Sequence, residues 1–339
     1  MAKSPKRHRI EKDMLKGFNK KLLWAVLFLI LGSALFCTCF FLKKTPELIE
    51  TPESETIKII LVGDIMLDRG VEYIIAKEGN NDFVFPFAKI AEYFQQADIV
   101  FGNLEGPISD KGTKVGSIYS FRADPQAIEG LKYANFNILS LANNHAFDYA
   151  RSALEDTFLR LRMANINYSG AGFSESEAYS PIIKEIKGIK IGFLSYANLG
   201  PEFWRAQGNN SGIAWVSESD FERIREDIKL AKEQVDILII SLHAGEEYIE
   251  EPTQFQKDFA QLAIAAGADL FIGHHPHIVQ RNENKTFYSL GNFIFDQGFS
   301  TSTMEGQIVE VLIENGRIKK VSPKKIKISE FFQPEIKNE

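Results

Sequence analysis

Five of the six histidines stand at the ends of apolar runs, beside glycine, asparagine or an acid: His145 in LANNHAFD, His243 in ILIISLHAG, and His274, His275 and His277 in DLFIGHHPHIV. Two further runs end in oxygen donors, IKIILVGD in Asp64 and ADIVFGNLE in Asn103 and Glu105. A continuous Val/Ile/Leu/Phe run marks a buried parallel strand, and α/β folds place ligand sites just beyond the carboxyl ends of such strands. Five segments therefore deliver Asp, Glu, Asn and His to one sheet edge, which is a metal-site inventory. Mixed oxygen and imidazole donors suit Zn, Mn, Fe or Mg. Both cysteines, Cys37 and Cys39, lie in an apolar segment near the N-terminus, so the rest of the chain offers no thiolate. Two acids, an asparagine and at least three histidines exceed what one tetrahedral ion requires, so one or two ions are expected. A two-ion site places its ions ~3.5–4 Å apart and stabilises both attacking and leaving oxygens.

Taken singly, most of these residues have a plainer reading. A strand-ending Asp64 can simply cap the next helix. Asn144 and His145 can bond their own loop, and His243 can be a satisfied core histidine. Turn chemistry accounts for Gly106-Pro107 after Glu105, but not for the acid. The GHHPH cluster has few structural excuses, because histidine is the commonest metal ligand at neutral pH. In YSLGNFIFDQ, Asn292 is either the polar end of a core strand or a wall of the site. Glu246 and Glu247 in SLHAGEEY read as supports to ligands rather than as ligands.

The elements that must position these residues alternate along the chain. Strands are expected at 57–63, 98–102, 137–141, 189–196, 235–242, 269–272 and 286–294. Amphipathic helical stretches lie between them at 86–95, 124–134, 151–164, 218–234 and 253–266, with Asp124-Pro125 as a helix start. Such βα alternation indicates a largely parallel core. Hairpins at Lys187-Gly188 and Asn315-Gly316 suggest a second, partly antiparallel sheet.

Residues 22–42 are 21 uncharged, mainly apolar positions, enough to cross a bilayer of ~30 Å. Eight Lys/Arg precede them and Lys43 and Lys44 follow, so the expected topology is cytoplasmic for 1–21, transmembrane for 22–42 and extracellular for the rest. A cleaved signal peptide is the rival reading; the length of the run and its Phe40-Phe41-Leu42 end favour an uncleaved anchor. Residues 43–56 read as a linker, 57–328 as the domain, and 329–339 as a tail. Residues 1–44 carry 10 Lys/Arg against 2 Asp/Glu, while residues 45–339 carry 29 against 43. So acidic an ectodomain argues against nucleic acid as a partner. It also means that an anionic substrate would need local metal or arginine charge.

The ordered set GDIML, FGNLEGP, LANNHAFD, SLHAGEEY, GHHPH and YSLGNFIFDQ resembles the CapA family of capsule-synthesis proteins, known as PgsA in poly-γ-glutamate systems, from residue 57 to about 300. That family in turn resembles the calcineurin-like metallophosphoesterases. The resemblance implies an α/β fold, a metallophosphoesterase-like sandwich of two mixed β-sheets flanked by helices, here preceded by one N-terminal transmembrane helix. It implies divalent-metal ligands at Asp64, Glu105, Asn144, His243, His275 and His277, and a catalytic role for His145. His274 is an extra histidine that can replace a lost ligand or contact substrate. The chain departs from the phosphoesterase pattern in three places: Met66 replaces a histidine, Glu105 replaces an aspartate, and the acid after Asn144-His145 is displaced to Asp148. The implied role is in making, exporting or tethering an anionic polymer such as poly-γ-glutamate at the cell membrane, with other membrane subunits as partners. No GxxxxGK[ST] loop is present, so the ATP-consuming ligase of such a system is a different protein. Two classes of role stand open: a metal-dependent hydrolase acting on a phosphoester, amide or polymer end, and a non-catalytic assembly component.

Overall fold

The computed structural model describes residues 24–32, 56–116 and 118–337. The chain divides into two units, residues 1–53 and 54–339. In the first, residues 24–32 form a helix, α1, with exposed side chains. Among the described residues no helix is long and apolar enough to cross a membrane. The remainder of the span expected at 22–42, the basic segment before it and nearly all of the linker lie outside the described residues.

The second unit is a sandwich of two sheets. The larger sheet is built around β1 (Ile57–Ile65), which pairs in parallel with β2 (Ile99–Leu104), followed by β3 (Ile138–Ser140) and β4 (Asn167–Ser169). On its other side β1 pairs with the short parallel strand β13 (Asn292–Ile294) and the antiparallel β14 (Glu305–Glu314), continued by β15 (Arg317–Ile328) and β16 (Pro334–Ile336). The sheet thus runs past residue 328 into the segment expected to be a tail. The smaller sheet has the order β11 (Asn282–Glu283), β12 (Thr286–Phe287), β10 (Leu270–His274), β9 (Ile237–His243), β7 (Ile189–Ala197), β6 (Ile182–Ile186). A two-stranded piece joins β5 (Ala171–Gly172) to β8 (Gly212–Ile213).

Period-two alternation sorts the apolar residues into three layers. Ile59 and Leu61 of β1 and Phe101 of β2 meet Phe193, Ile239 and Ile272 of the smaller sheet, with the rings of Phe101 and Phe193 stacked 5.4 Å apart. Ile60, Val62, Val100 and Leu139 face outward against α2 (Arg69–Lys77), α3 (Ala91–Phe94), α4 (Ala127–Tyr133) and α5 (Ala150–Met163). Leu194, Tyr196, Leu238 and Ile240 face α6 (Glu175–Tyr179), α7 (Phe221–Lys232) and α8 (Gln254–Ala265). Burial on both faces explains why the parallel strands read as unbroken apolar runs.

Two expectations need correction. The hairpins at Lys187-Gly188 and Asn315-Gly316 do not share a second sheet: the first joins β6 to β7 in the smaller sheet, the second joins β14 to β15 in the larger. The strand expected at 286–294 is two strands in different sheets, β12 and β13, and the segment between them crosses from one sheet to the other. Glycine makes the crossing possible. A Cβ on Gly273 would lie 2.0 Å from the Tyr288 carbonyl oxygen, and one on Gly63 would lie 1.9 Å from that of Gly291. The Leu290 amide donates to Gly273 O (3.1 Å) and the Asp64 amide to Gly291 O (3.0 Å). The crossing segment therefore braces the ends of β1 and β10, where the candidate ligands begin.

Candidate metal centre

Asp64 ends β1 and lies beside Asn103 of β2 in register; Glu105 follows β2, Asn143 to His145 follow β3, and His243 and His274 face each other at the ends of β9 and β10. His275 and His277 flank Pro276 with φ of 98° and 60°, and Arg69 and Tyr248 at the rim have φ of 50° and 64°. Each non-glycine residue in the left-handed region costs about 1–3 kcal/mol, and such outliers gather at functional sites. The Tyr248 amide donates to Pro276 O (2.9 Å), tying the 246–248 loop to the GHHPH turn.

Two groups of ligand-type side chains result. Asp64, Glu105 and His243 form one, with ligand atoms within 4.8 Å of one another, and Glu247, His275 and His277 form the other to the same tolerance. They adjoin at Asp64, whose Oδ2 accepts from the His275 amide (3.1 Å) and lies 3.5 Å from His277 Nδ1. Asn144 reaches the first group through Oδ1, 2.7 Å from His243 Nε2. His145 holds Asp148 Oδ2 at 2.7 Å through Nδ1, with the Phe121 ring 4.0 Å from its own. His274 is 1% exposed, between the sheets beside Phe101, with Nδ1 3.2 Å from Asp64 Oδ1. Read in the sequence as an extra histidine that can replace a ligand or contact substrate, it lies against Asp64, whose acidity it helps to hold down.

The two carboxylates of the first group are driven apart in acidity. Burial works to raise Asp64, but contact with His274 and then the fields of His277 and His243 hold it below the ordinary carboxylate range. Glu105 is raised well above that range by burial, then by the charges of Asp64, Glu247 and Asp148. Burial, reinforced by His275, depresses His243; burial, reinforced by His277, takes His275 down to about 3; and burial lowers His277. All three imidazoles are therefore neutral near pH 7, the state in which nitrogen can ligate a cation. Glu105 Oε2 and His275 Nδ1 are buried and have no hydrogen-bond partner, and unsatisfied buried polar atoms are costly. A divalent ion bound there would give His275 Nδ1 a partner, and its charge nearby would favour the ionised form of Glu105. The donor set fits such an ion.

Asn143 and Arg69 carry no role in the sequence alone, and Asn103 and Glu247 take a larger part than it suggests. Asn103 contacts Asp64, Glu105 and His243, and its place beside Glu105 was the available signal. Asn143 donates to Asn103 and to Leu104 O, with no signal beyond the NNH doublet. Glu247, read only as a support, stands among ligand atoms. Arg69 lies over Phe121, 4.5 Å from guanidinium carbon to ring centroid, and its charge reaches Glu105. Asn292, which had two readings, is 0% exposed and accepts from His277 Nδ1 at 2.9 Å.

Residues 58–297 match the family described as Bacterial capsule synthesis protein PGA_cap. The chain is 33% identical over 281 residues to the PGA biosynthesis protein CapA of Bacillus subtilis (strain 168), spanning 80% of this chain and 72% of that protein. It is 31% identical over 274 residues to the Capsule biosynthesis protein CapA of Bacillus anthracis, spanning 78% and 66%. Among solved structures, a novel phosphatase of Mycoplasma pneumoniae overlays with a TM-score of 0.48 at 16% identity, over 81% of this chain and 94% of that one. That likeness bears on neither activity nor ligand. By the extent of the family match and the identity to these relatives, the chain belongs to the bacterial capsule synthesis proteins of the PGA_cap family.

Proposed function

We propose that this capsule-synthesis protein is a divalent-metal-dependent hydrolase or transferase that acts on an amide or phosphoester of an anionic envelope polymer, poly-γ-glutamate being the first to test. In this reading residues 22–42 anchor it to the cell membrane with the second unit outside, beside other membrane subunits of the capsule machinery. One observation carries the enzymatic part: a histidine–aspartate pair, His145 and Asp148, lies beside the two groups of metal-ligand side chains. His145 lies close enough for its charge to act on both His275 and His277.

Of the expected ligands, His275 and His277 would hold the ion, with Asp64, Glu105, Asn144 and His243 lining the adjoining group; when bound, its charge would polarise an acyl or phosphoryl oxygen. The rest follows from the chain's own groups. Asp148 accepts at Oδ2 from both the Phe121 amide (2.8 Å) and His145 Nδ1, so the Nδ1 proton stays on the imidazole. Nε2 then takes up or delivers a proton at the cleft. The Arg69 guanidinium, paired to Asp296 and lying over Phe121, offers cationic charge to a substrate carboxylate or phosphate at the rim of an otherwise acidic unit.

Met66 favours a second reading, a non-catalytic assembly subunit. It stands where the resembled phosphoesterases carry a ligand histidine, is 0% exposed, and its Sδ accepts from the Asp68 amide at 3.2 Å. The test is turnover of γ-glutamyl polymer and of phosphoesters by purified protein, alongside capsule formation in cells, for the wild type and His145→Ala. Metal-dependent turnover lost in His145→Ala supports the enzyme. Normal capsule with His145→Ala, and no turnover by the wild type, would leave the assembly reading.

A further inference from the structure

The two ligand groups differ in what fills them, and backbone atoms decide the difference. Asn143 donates through Nδ2 to Leu104 O (2.8 Å) and accepts at Oδ1 from the His145 amide (3.0 Å), so its amide can point only one way. The same Nδ2 donates to Asn103 Oδ1 (3.1 Å), which turns Asn103 Nδ2 inward. That nitrogen donates to Asp64 Oδ1 at 2.8 Å, faces His243 Nδ1 at 3.2 Å, and lies 3.4 Å from Glu105 Oε1. One amide nitrogen thus stands at the centre of the Asp64–Glu105–His243 group, in the position of a cation. His243 accepts at Nδ1 and donates its Nε2 proton to Asn144 Oδ1, so both of its nitrogens are engaged.

The other group is prepared for an ion. Asn292 donates through Nδ2 to Thr303 O (3.0 Å), which directs its Oδ1 to His277 Nδ1 (2.9 Å). The His277 proton is therefore on Nδ1, leaving the Nε2 lone pair available; a hydrogen bond of this kind to the distal ring nitrogen orients metal-ligating histidines. His275 is 6% exposed and its Nδ1 is without a partner. Glu247, held against the turn by the neighbouring Tyr248 amide, brings a carboxylate oxygen within 4.8 Å of ring nitrogens of both. Two imidazoles and one carboxylate, with coordination positions left over, suit a borderline divalent ion such as zinc or manganese.

We propose that the cleft holds one tightly bound divalent ion on His275, His277 and Glu247, and that the Asn103 amide closes the Asp64–Glu105–His243 pocket to a second. The inference rests on the divalent-metal reading above, and adds the number of ions, the ligand Glu247 and the closing role of Asn103. The experiment is elemental analysis and titration of the purified full-length chain with Zn²⁺ and Mn²⁺. The wild type should retain one ion per chain. Glu247→Gln should weaken its affinity by at least about tenfold, Glu105→Gln should leave it in place, and Asn103→Asp should raise the stoichiometry to two. Two ions in the wild type, undiminished affinity in Glu247→Gln, or one ion in folded Asn103→Asp would each overturn the inference while leaving the metal reading intact. No ion in the wild type would overturn both. Should the buried charge of Asn103→Asp prevent folding, the comparison of Glu247→Gln with Glu105→Gln still decides which group holds the ion.

Discussion

His145 sits 8% exposed between the Phe121 ring and the Asp148 carboxylate, an arrangement that sets which ring nitrogen carries the proton. The consequence is kinetic. His145→Ala should lower kcat by about 10²–10⁴-fold, the usual worth of positioned acid–base help, with metal content unchanged. Asp148→Asn should also lower kcat, with KM moving less, because the amide no longer holds the imidazole in one tautomer. Steady-state kinetics with elemental analysis of the same samples checks both. If either variant loses its ion in step with its activity, His145 belongs to the ligand set and not to proton transfer.

At the scale of elements, the glycine crossing carries the site. A Cβ at Gly63 has no space beside the Gly291 carbonyl, so Gly63→Ala must push β1 and the crossing segment apart. Overpacking of this sort costs about 1–3 kcal/mol, and denaturant unfolding should show at least that loss. An unchanged midpoint would mean that the crossing is not held at this point. The Ser217–Asp220 turn that opens α7 gives a second, pH-dependent prediction. Burial acts to raise Asp220, but its hydrogen bonds from Arg205 and Ser217 outweigh that and bring it from the ordinary 3.8 down to about 2. A depressed folded pKa adds stability that is present above the unfolded value and lost as pH falls through the folded one. The stability gap between wild type and Asp220→Asn should therefore be constant above pH 4 and close between pH 4 and 2; a gap independent of pH would contradict the assignment. Much of this level was legible beforehand. The apolar runs of β1, β2, β9 and β10 announced buried parallel strands, and the residues at their ends lie together as the candidate ligands. The break between β12 and β13 was not legible, because Tyr288 to Gly291 keep an apolar pattern while changing sheets. Glu247, on a loop with no apolar run of its own, read only as a support, and Asn103 read as one donor among several because nothing in the strand pattern shows its contacts with Asp64, Glu105 and His243.

For the molecule as a whole, the charge division matters most: 10 Lys/Arg against 2 Asp/Glu in residues 1–44, and 29 against 43 beyond. A basic flank before an apolar run predicts a cytoplasmic N-terminus. Protease added to intact cells or spheroplasts should degrade residues 54–339 and spare residues 1–21; a fully protected C-terminal unit would reverse the proposed orientation. The most direct measurement of the central claim is the thermal unfolding of purified protein with and without divalent ion, for the wild type, His243→Ala and His275→Ala. An ion that binds only the folded state adds about 2.7 kcal/mol at one hundred times its Kd, which corresponds to a rise of several degrees in Tm for a domain of this size. The wild type should show that rise, and at least one of the two substitutions should abolish it. A Tm that ignores divalent ions, or rises equally in all three proteins, would contradict a metal centre at these strand ends.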